Sequence, residues 1–261
     1  MKITKKRINT VVQSGNWMIR TDKGGISHNG FVSEPIGEKT VCPDWKATPE
    51  CGNGLHGQAR EASGYNHYQG EGVRTLFVET SPERVVIDGN KIKTPWFRIL
   101  LIDDFSMIDK LEFDGHLDLR GTSIEVLPED LHIGRDLDLG GTSITVLPEG
   151  LHVGGNLYLR GTSIEVLPEG LHVGGSLDLR GTSIEVLPEG LHVDGDLYLS
   201  GTSIEVLPED LHVGGSLYLS GTSIKKLPEG LHVGGDLDLN GASIKKLPEG
   251  LHVGGKIYKD F

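Results

Sequence analysis

Leucine, isoleucine and valine recur through the C-terminal part of the chain at an interval that never slips. GTSI returns at 121, 141, 161, 181, 201 and 221, with GASI at 241, and LPE and Leu-His recur at the same spacing of twenty residues. Self-similarity at a fixed period marks a repeat architecture in which each unit stacks on the next. The copy LHVGGNLYLRGTSIEVLPEG, residues 151–170, displays the internal pattern. Leu157 and Leu159 flank a single outward position with the period of two of a strand, which predicts one short strand per turn. Gly154, Gly155 and Gly161 supply bends on either side of it, and Pro168 denies the return segment a regular helix. Leu151, Val153, Leu157, Leu159, Ile164 and Leu167 can all point inward together. Six such side chains do not offset the conformational entropy of ordering twenty residues, so a single turn cannot fold alone and stability must come from the array.

The pattern assigns residues 111–261 to a solenoid of seven full turns and a shortened eighth, and residues 1–110, which show no repeat, to an α+β domain that covers the first turn. At the far end KIYKDF places Lys259 where other copies have an inward leucine, with Lys256 and Asp260 beside it, the charge-blocked edge expected of a cap. Within 1–110, strands are expected at Thr10–Ile19, Arg74–Glu79, Arg84–Ile87 and Trp96–Ile102, and a short helix at Gln58–His67.

Charge divides the chain in the same way. Residues 1–110 carry 15 Lys/Arg and 13 Asp/Glu, whereas residues 111–261 carry 10 and 24, so a net charge of +2 faces one of −14. A solenoid this acidic is not expected to grip a phosphate backbone directly. No stretch of eighteen apolar residues occurs, and the basic start MKITKKRINT leads into polar residues, so neither a membrane span nor a secretion signal is expected. Two cysteines, Cys42 and Cys51, are too few for a disulfide scaffold, which favours the cytoplasm.

Because the chain holds many copies of one unit, its positions can be compared with one another. Framework positions barely change, and variation concentrates at three outward columns flanking the strand. The middle column reads Asp118, Asp138, Tyr158, Asp178, Tyr198, Tyr218, Asp238, Tyr258, and the next reads Arg120, Gly140, Arg160, Arg180, Ser200, Ser220, Asn240, Asp260. The column before is polar: His116, Asp136, Asn156, Ser176, Asp196, Ser216, Asp236, Lys256. Rows ~4.8 Å apart would make this a long, narrow Asp/Tyr/Arg strip suited to a protein partner and too open for a small molecule. Tyrosine and arginine are frequent interface anchors, and Tyr198 beside Tyr218 would form an aromatic platform. Drift of solvent-facing strand positions would yield the same residue types. A lateral column changes sign, from Glu125, Glu165, Glu185 and Glu205 to Lys225 and Lys245.

The pattern LxLxxTxIxxLPxxL over Leu111–Phe261 resembles the short leucine-rich repeats of bacteria and their phages, similar in length and in the LPE step to those of enterobacterial effectors. The resemblance implies a parallel sheet on a concave face, an extended, non-helical convex side, and a protein-binding role. The ligase domain that some of those effectors carry after the repeats is absent, and the usual ladder asparagine is replaced by Thr122 and its counterparts to Thr222, with Ala242 last. CGNGLHGQA at 51–59 resembles an uncharacterised module of phage and bacterial proteins with a Cys-x-x-Gly-aromatic-His core, Leu55 replacing the aromatic.

Other chemistry is sparse. His56, with Tyr65, His67, Tyr68 and Glu79 downstream, contains residue types used in acid–base sites, and Cys42, Cys51, His56 and His67 could hold zinc, although the Cys-x8-Cys spacing is not that of a zinc ribbon. No P-loop, GxGxxG, nucleophile elbow or HExxH occurs. The histidine at every twentieth position from His132 to His252 should form a column, but a linear file does not converge on one ion, and no metal is expected there. The expectation is therefore a module without enzymatic activity or cofactor that binds a protein through the Asp/Tyr/Arg face. Two alternatives stand beside it: an acidic nucleic-acid mimic acting on a DNA- or RNA-binding protein, and an N-terminal enzyme targeted by the repeats.

Overall fold

The computed structural model describes residues 3–26, 32–43, 46–47, 55–59, 72–87 and 91–260. Contacts divide the chain into two compact units, Met1–Arg135 and Asp136–Phe261. The first holds a small antiparallel sheet domain and the first strands of a parallel β-solenoid, and the second holds the remaining turns.

In the first unit, helix α1 (Lys5–Ser14) is followed by β1 (Trp17–Lys23), β2 (Lys39–Val41), β3 (Leu55–Gly57), β4 (Val73–Thr80), β5 (Val85–Ile87), β6 (Lys91–Thr94) and β7 (Trp96–Ile102). The expected strand at Thr10–Ile19 is thus half helix. Thr4 caps α1 by accepting the Arg7 amide, Ile8 and Val11 form its buried face, and Gly15 closes it in the left-handed conformation at φ 70°. The strands expected near Arg74, Arg84 and Trp96 are present as β4, β5 and β7. Where a helix was expected from Gln58, the chain is still extended, with Gln58 bridging to Ile19; residues 60–67 lie outside the described residues.

Strands β1, β4, β7 and β2 form one antiparallel sheet in the order β1-β4-β7-β2, and β3, β6 and β5 form a second. Met18, Leu76, Val78, Phe97 and Ile99 from the first sheet share a core with Leu55 and Ile92 from the second. Gly57 marks a close approach of the two sheets, because a Cβ there would stand 2.7 Å from the Ile19 carbonyl oxygen and from Met18 Sδ. Within this core Arg20 lies across the Phe97 ring at 4.5 Å, and burial pushes its guanidinium down to about 10.

Alternate side chains of β1 and β4 turn the other way. Trp17 contacts Phe77 at 5.8 Å and Phe113 at 5.3 Å, and Phe77 contacts Phe105 at 6.0 Å. Phe113 belongs to β8 (Lys110–Phe113), the first solenoid strand, which is followed by β9 (Leu117–Asp118) and by β10 (Asp130–Ile133), the parallel partner of β8. Backbone bonds reinforce this cover: Ser123 N–H donates to Val73 O at 2.7 Å, Glu125 N–H to Asp103 O at 2.8 Å, and Phe105 N–H to Val126 O at 3.0 Å. Asp103 makes the join in the left-handed region, at φ 58°. The antiparallel part therefore covers the first solenoid turn, as the sequence leads one to expect.

The second unit differs from expectation in one respect. Each turn contributes two short strands, because LHV alternates as LYL does. His152–Val153, His172–Val173 and their successors to His252–Val253 form one parallel ladder, and Leu137–Asp138, Leu157–Tyr158 and their successors to Ile257–Tyr258 form another. Both are in register, residue over residue twenty apart. The paired glycines form the corner between the two sheets. A Cβ on Gly174 would stand 2.5 Å from the Gly154 carbonyl oxygen, and Gly214, Gly234 and Gly254 repeat that approach. All six expected inward positions of the copy at 151–170 are buried, and no helix interrupts the turns among the described residues.

Candidate binding surface

The outward columns beside the Leu-Asp/Tyr strands do three different jobs. The column at 136, expected only to be polar, joins the turns. Asp136 Oδ1 accepts the Asn156 amide at 2.7 Å, and Asn156 Oδ1 accepts that of Ser176 at 2.7 Å. Ser176, Asp196, Ser216 and Asp236 continue the series, each accepting the amide twenty residues on at 2.7–3.0 Å. This is the ladder that the resemblance would assign to asparagine at the threonine position. The threonines bond within their own turn, Thr162 Oγ1 donating to Leu159 O at 2.8 Å and the others alike.

In the middle column the aspartates act as turn locks. Asp118 and Asp178 are 4% and 5% exposed, too covered to serve as a free anionic surface. Arg180 forks onto Asp178 with Nε and Nη2 at 2.8 and 2.6 Å while its amide donates to the same carboxylate at 3.1 Å, and Arg120 treats Asp118 similarly. The pairing holds the Arg180 guanidinium above its ordinary range. Asp138 and Asp238 instead accept the Gly140 and Asn240 amides, each at 3.0 Å. Arg160 is exposed, Tyr158 is half-buried, and Tyr258, in the last strand, is 43% exposed.

Tyr198 and Tyr218 form the expected platform. Their rings lie 4.7 Å apart with 1° between planes, the spacing of adjacent strands, and Arg180 lies over the Tyr198 ring at 4.9 Å. Tyr198 donates its hydroxyl to Asp196 at 2.9 Å; burial and that carboxylate push its pKa up to about 12, so it stays a hydrogen-bond donor at neutral pH. Burial, with Asp136 nearby, also raises Tyr158. Three consecutive turns thus present a guanidinium and two rings in a fixed order.

On another edge of the turn, Val146, Val166, Val186 and Val206 form an apolar row 66–71% exposed, which gives way to Lys226 and Lys246.

The histidines of successive turns also stand in file. His192 and His212 stack at 4.1 Å and 8°, His212 and His232 at 6.2 Å and 3°, and His232 and His252 at 4.6 Å and 19°. His172 breaks the file, lying edge-on to His192 at 80° with both Nε2 atoms directed at Asp194, 3.3 Å from His172 and 2.8 Å from His192.

In the first unit, Glu79 lies between the guanidiniums of Arg7 and Arg98 and pairs with both. His56 sits on β3 opposite Lys93, and Cys42 is buried in the core. Cys51, Tyr65, His67 and Tyr68 lie outside the described residues, so the acid–base and zinc constellations expected around His56 cannot be assembled from the described residues. No helix among the described residues is long and apolar enough to cross a membrane. No protein-family model matches the chain, and a search of curated proteins finds no significant match.

Proposed function

We propose that this chain is a non-enzymatic protein-binding module, of the bacterial or phage leucine-rich kind and acting in the cytoplasm, that captures a partner on the face of the Leu-Asp/Tyr strands. The observation that carries the reading is the Arg180–Tyr198–Tyr218 stack. Rings held parallel by strand register, with a guanidinium fixed by Asp178, have already lost the side-chain freedom that binding would otherwise cost. The open, extended form of the strip suits a protein surface and offers no enclosure for a small molecule. A nucleic-acid mimic would need rows of available carboxylates. Here Asp118 and Asp178 are forked to arginines, and Asp136, Asp196 and Asp236 accept amides from the next turn, which weakens that alternative.

The test is affinity capture from bacterial lysate with the full chain against the Tyr198→Ala/Tyr218→Ala double variant. At least one protein is expected on the parent chain and to fall about tenfold or more on the variant, the scale of one or two interface anchors, with melting nearly unchanged. Identical capture profiles would remove the tyrosine face from the reading.

A further inference from the structure

Repetition makes departures conspicuous, and Asp194 is one of them. Its position, the first of the corner pair, is glycine at 134, 154, 174, 214, 234 and 254, and a Cβ added at 134, 174, 214, 234 or 254 would stand within 2.5 Å of a backbone carbonyl oxygen of the preceding turn. Asp114 also fills this position, but in the first turn, which no repeat precedes.

Its carboxylate coincides with the break in the histidine file. The ring nitrogens of His172 and His192 and a carboxylate oxygen of Asp194 lie within 4.8 Å of one another. Four ligands around zinc at ~2.0–2.1 Å stand ~3.3 Å apart, so the three donors are already near a tetrahedral face, and modest turns of surface rings would complete it. All three side chains are 41–51% exposed, open to an ion and to water as a fourth ligand.

We propose that His172, His192 and Asp194 form a binding site for a divalent transition-metal ion of the zinc type. Two imidazoles and one carboxylate suit a borderline-soft ion such as Zn2+ or Co2+ and are poor ligands for Ca2+ or Mg2+, which take oxygen. A uniform file of stacked rings offers no such convergence; Asp194 supplies it at one level of the column. The site is independent of the tyrosine face.

The experiment uses the full chain without a polyhistidine tag, stripped with chelator and titrated with Zn2+ by calorimetry and with Co2+ by visible absorption. One equivalent is expected to bind. Asp194→Gly restores the residue that neighbouring turns carry, so the metal-free chain should melt no lower than the parent, yet lose affinity at least about tenfold, since even residues that only support a ligand cost that much. His192→Gln should do the same, and His232→Gln, in the file but away from Asp194, should leave binding unchanged. Absence of binding at millimolar Zn2+, parent-like affinity in Asp194→Gly, or equal loss in His232→Gln would each overturn the proposal.

Discussion

The two units solve the same problem, burial of apolar surface, in opposite ways. In the antiparallel part every core residue has its own environment: Trp17 meets Phe77 and Phe113, Phe77 meets Phe105, and Arg20 lies on Phe97. In the solenoid the interior is a set of aliphatic columns in which Leu157, Leu177, Leu197 and Leu217 are interchangeable and fully buried. Aromatic residues are used inside the first unit and outside the second, where Tyr198 and Tyr218 face outward. The difference indicates where change is tolerated. A singular core resists substitution almost everywhere, whereas a columnar one confines its freedom to positions whose neighbours twenty residues away do not constrain them.

Three measurements bear on that contrast. The largest effect is expected from Phe77→Ala, which removes a fully buried ring touching two others and should cost about 3–5 kcal/mol in denaturant unfolding. A cost below about 1 kcal/mol would mean that this core is looser than its contacts imply. Next comes Asp196→Ala, which deprives the Ser216 amide and the Tyr198 hydroxyl of their acceptor; about 1.5–3 kcal/mol is expected, with faster hydrogen exchange at Ser216. Unchanged stability and exchange would show that backbone bonds alone join the turns.

The smallest effect concerns pH. Burial and the neighbouring His192 and His232 hold the His212 pKa below its ordinary value, against an opposing pull from Asp194. The folded chain therefore binds this proton less readily than the unfolded chain does. The stability involved is complete above the ordinary histidine pKa of about 6.5 and declines as pH falls through the lowered folded value. Melting temperature should dip slightly between neutral pH and pH 5, and His212→Gln should flatten the dip. A rise on acidification, or an unaltered dip in the variant, would contradict this account.

How much was legible in the sequence depended on whether chemistry or identity repeats. The inward positions repeat in identity, so the period, the turn count and the buried set of 151–170 could be read directly. Asp136, Asn156 and Ser176 share only an acceptor oxygen, and their changing names concealed a ladder that links every turn. The His-Val strands escaped notice because an invariant outward histidine looks like framework, although LHV alternates as LYL does. Burial of Asp178 depended on a fork from Arg180 that spacing alone does not reveal. In the first unit, Val11 and Val12 favour a strand, but capping at Thr4, upstream of Thr10–Ile19, and the left-handed Gly15 within it fix a helix.

The glycine corner also governs how this molecule can change length. An insertion of five or ten residues would set a bulky residue over the carbonyl that Gly174 or Gly214 now accommodates and would turn polar positions toward the interior. Only additions or losses of twenty residues keep the corner glycines and the inward positions in register. Gain or loss of one whole turn would raise or lower the stack by one strand spacing of ~4.8 Å.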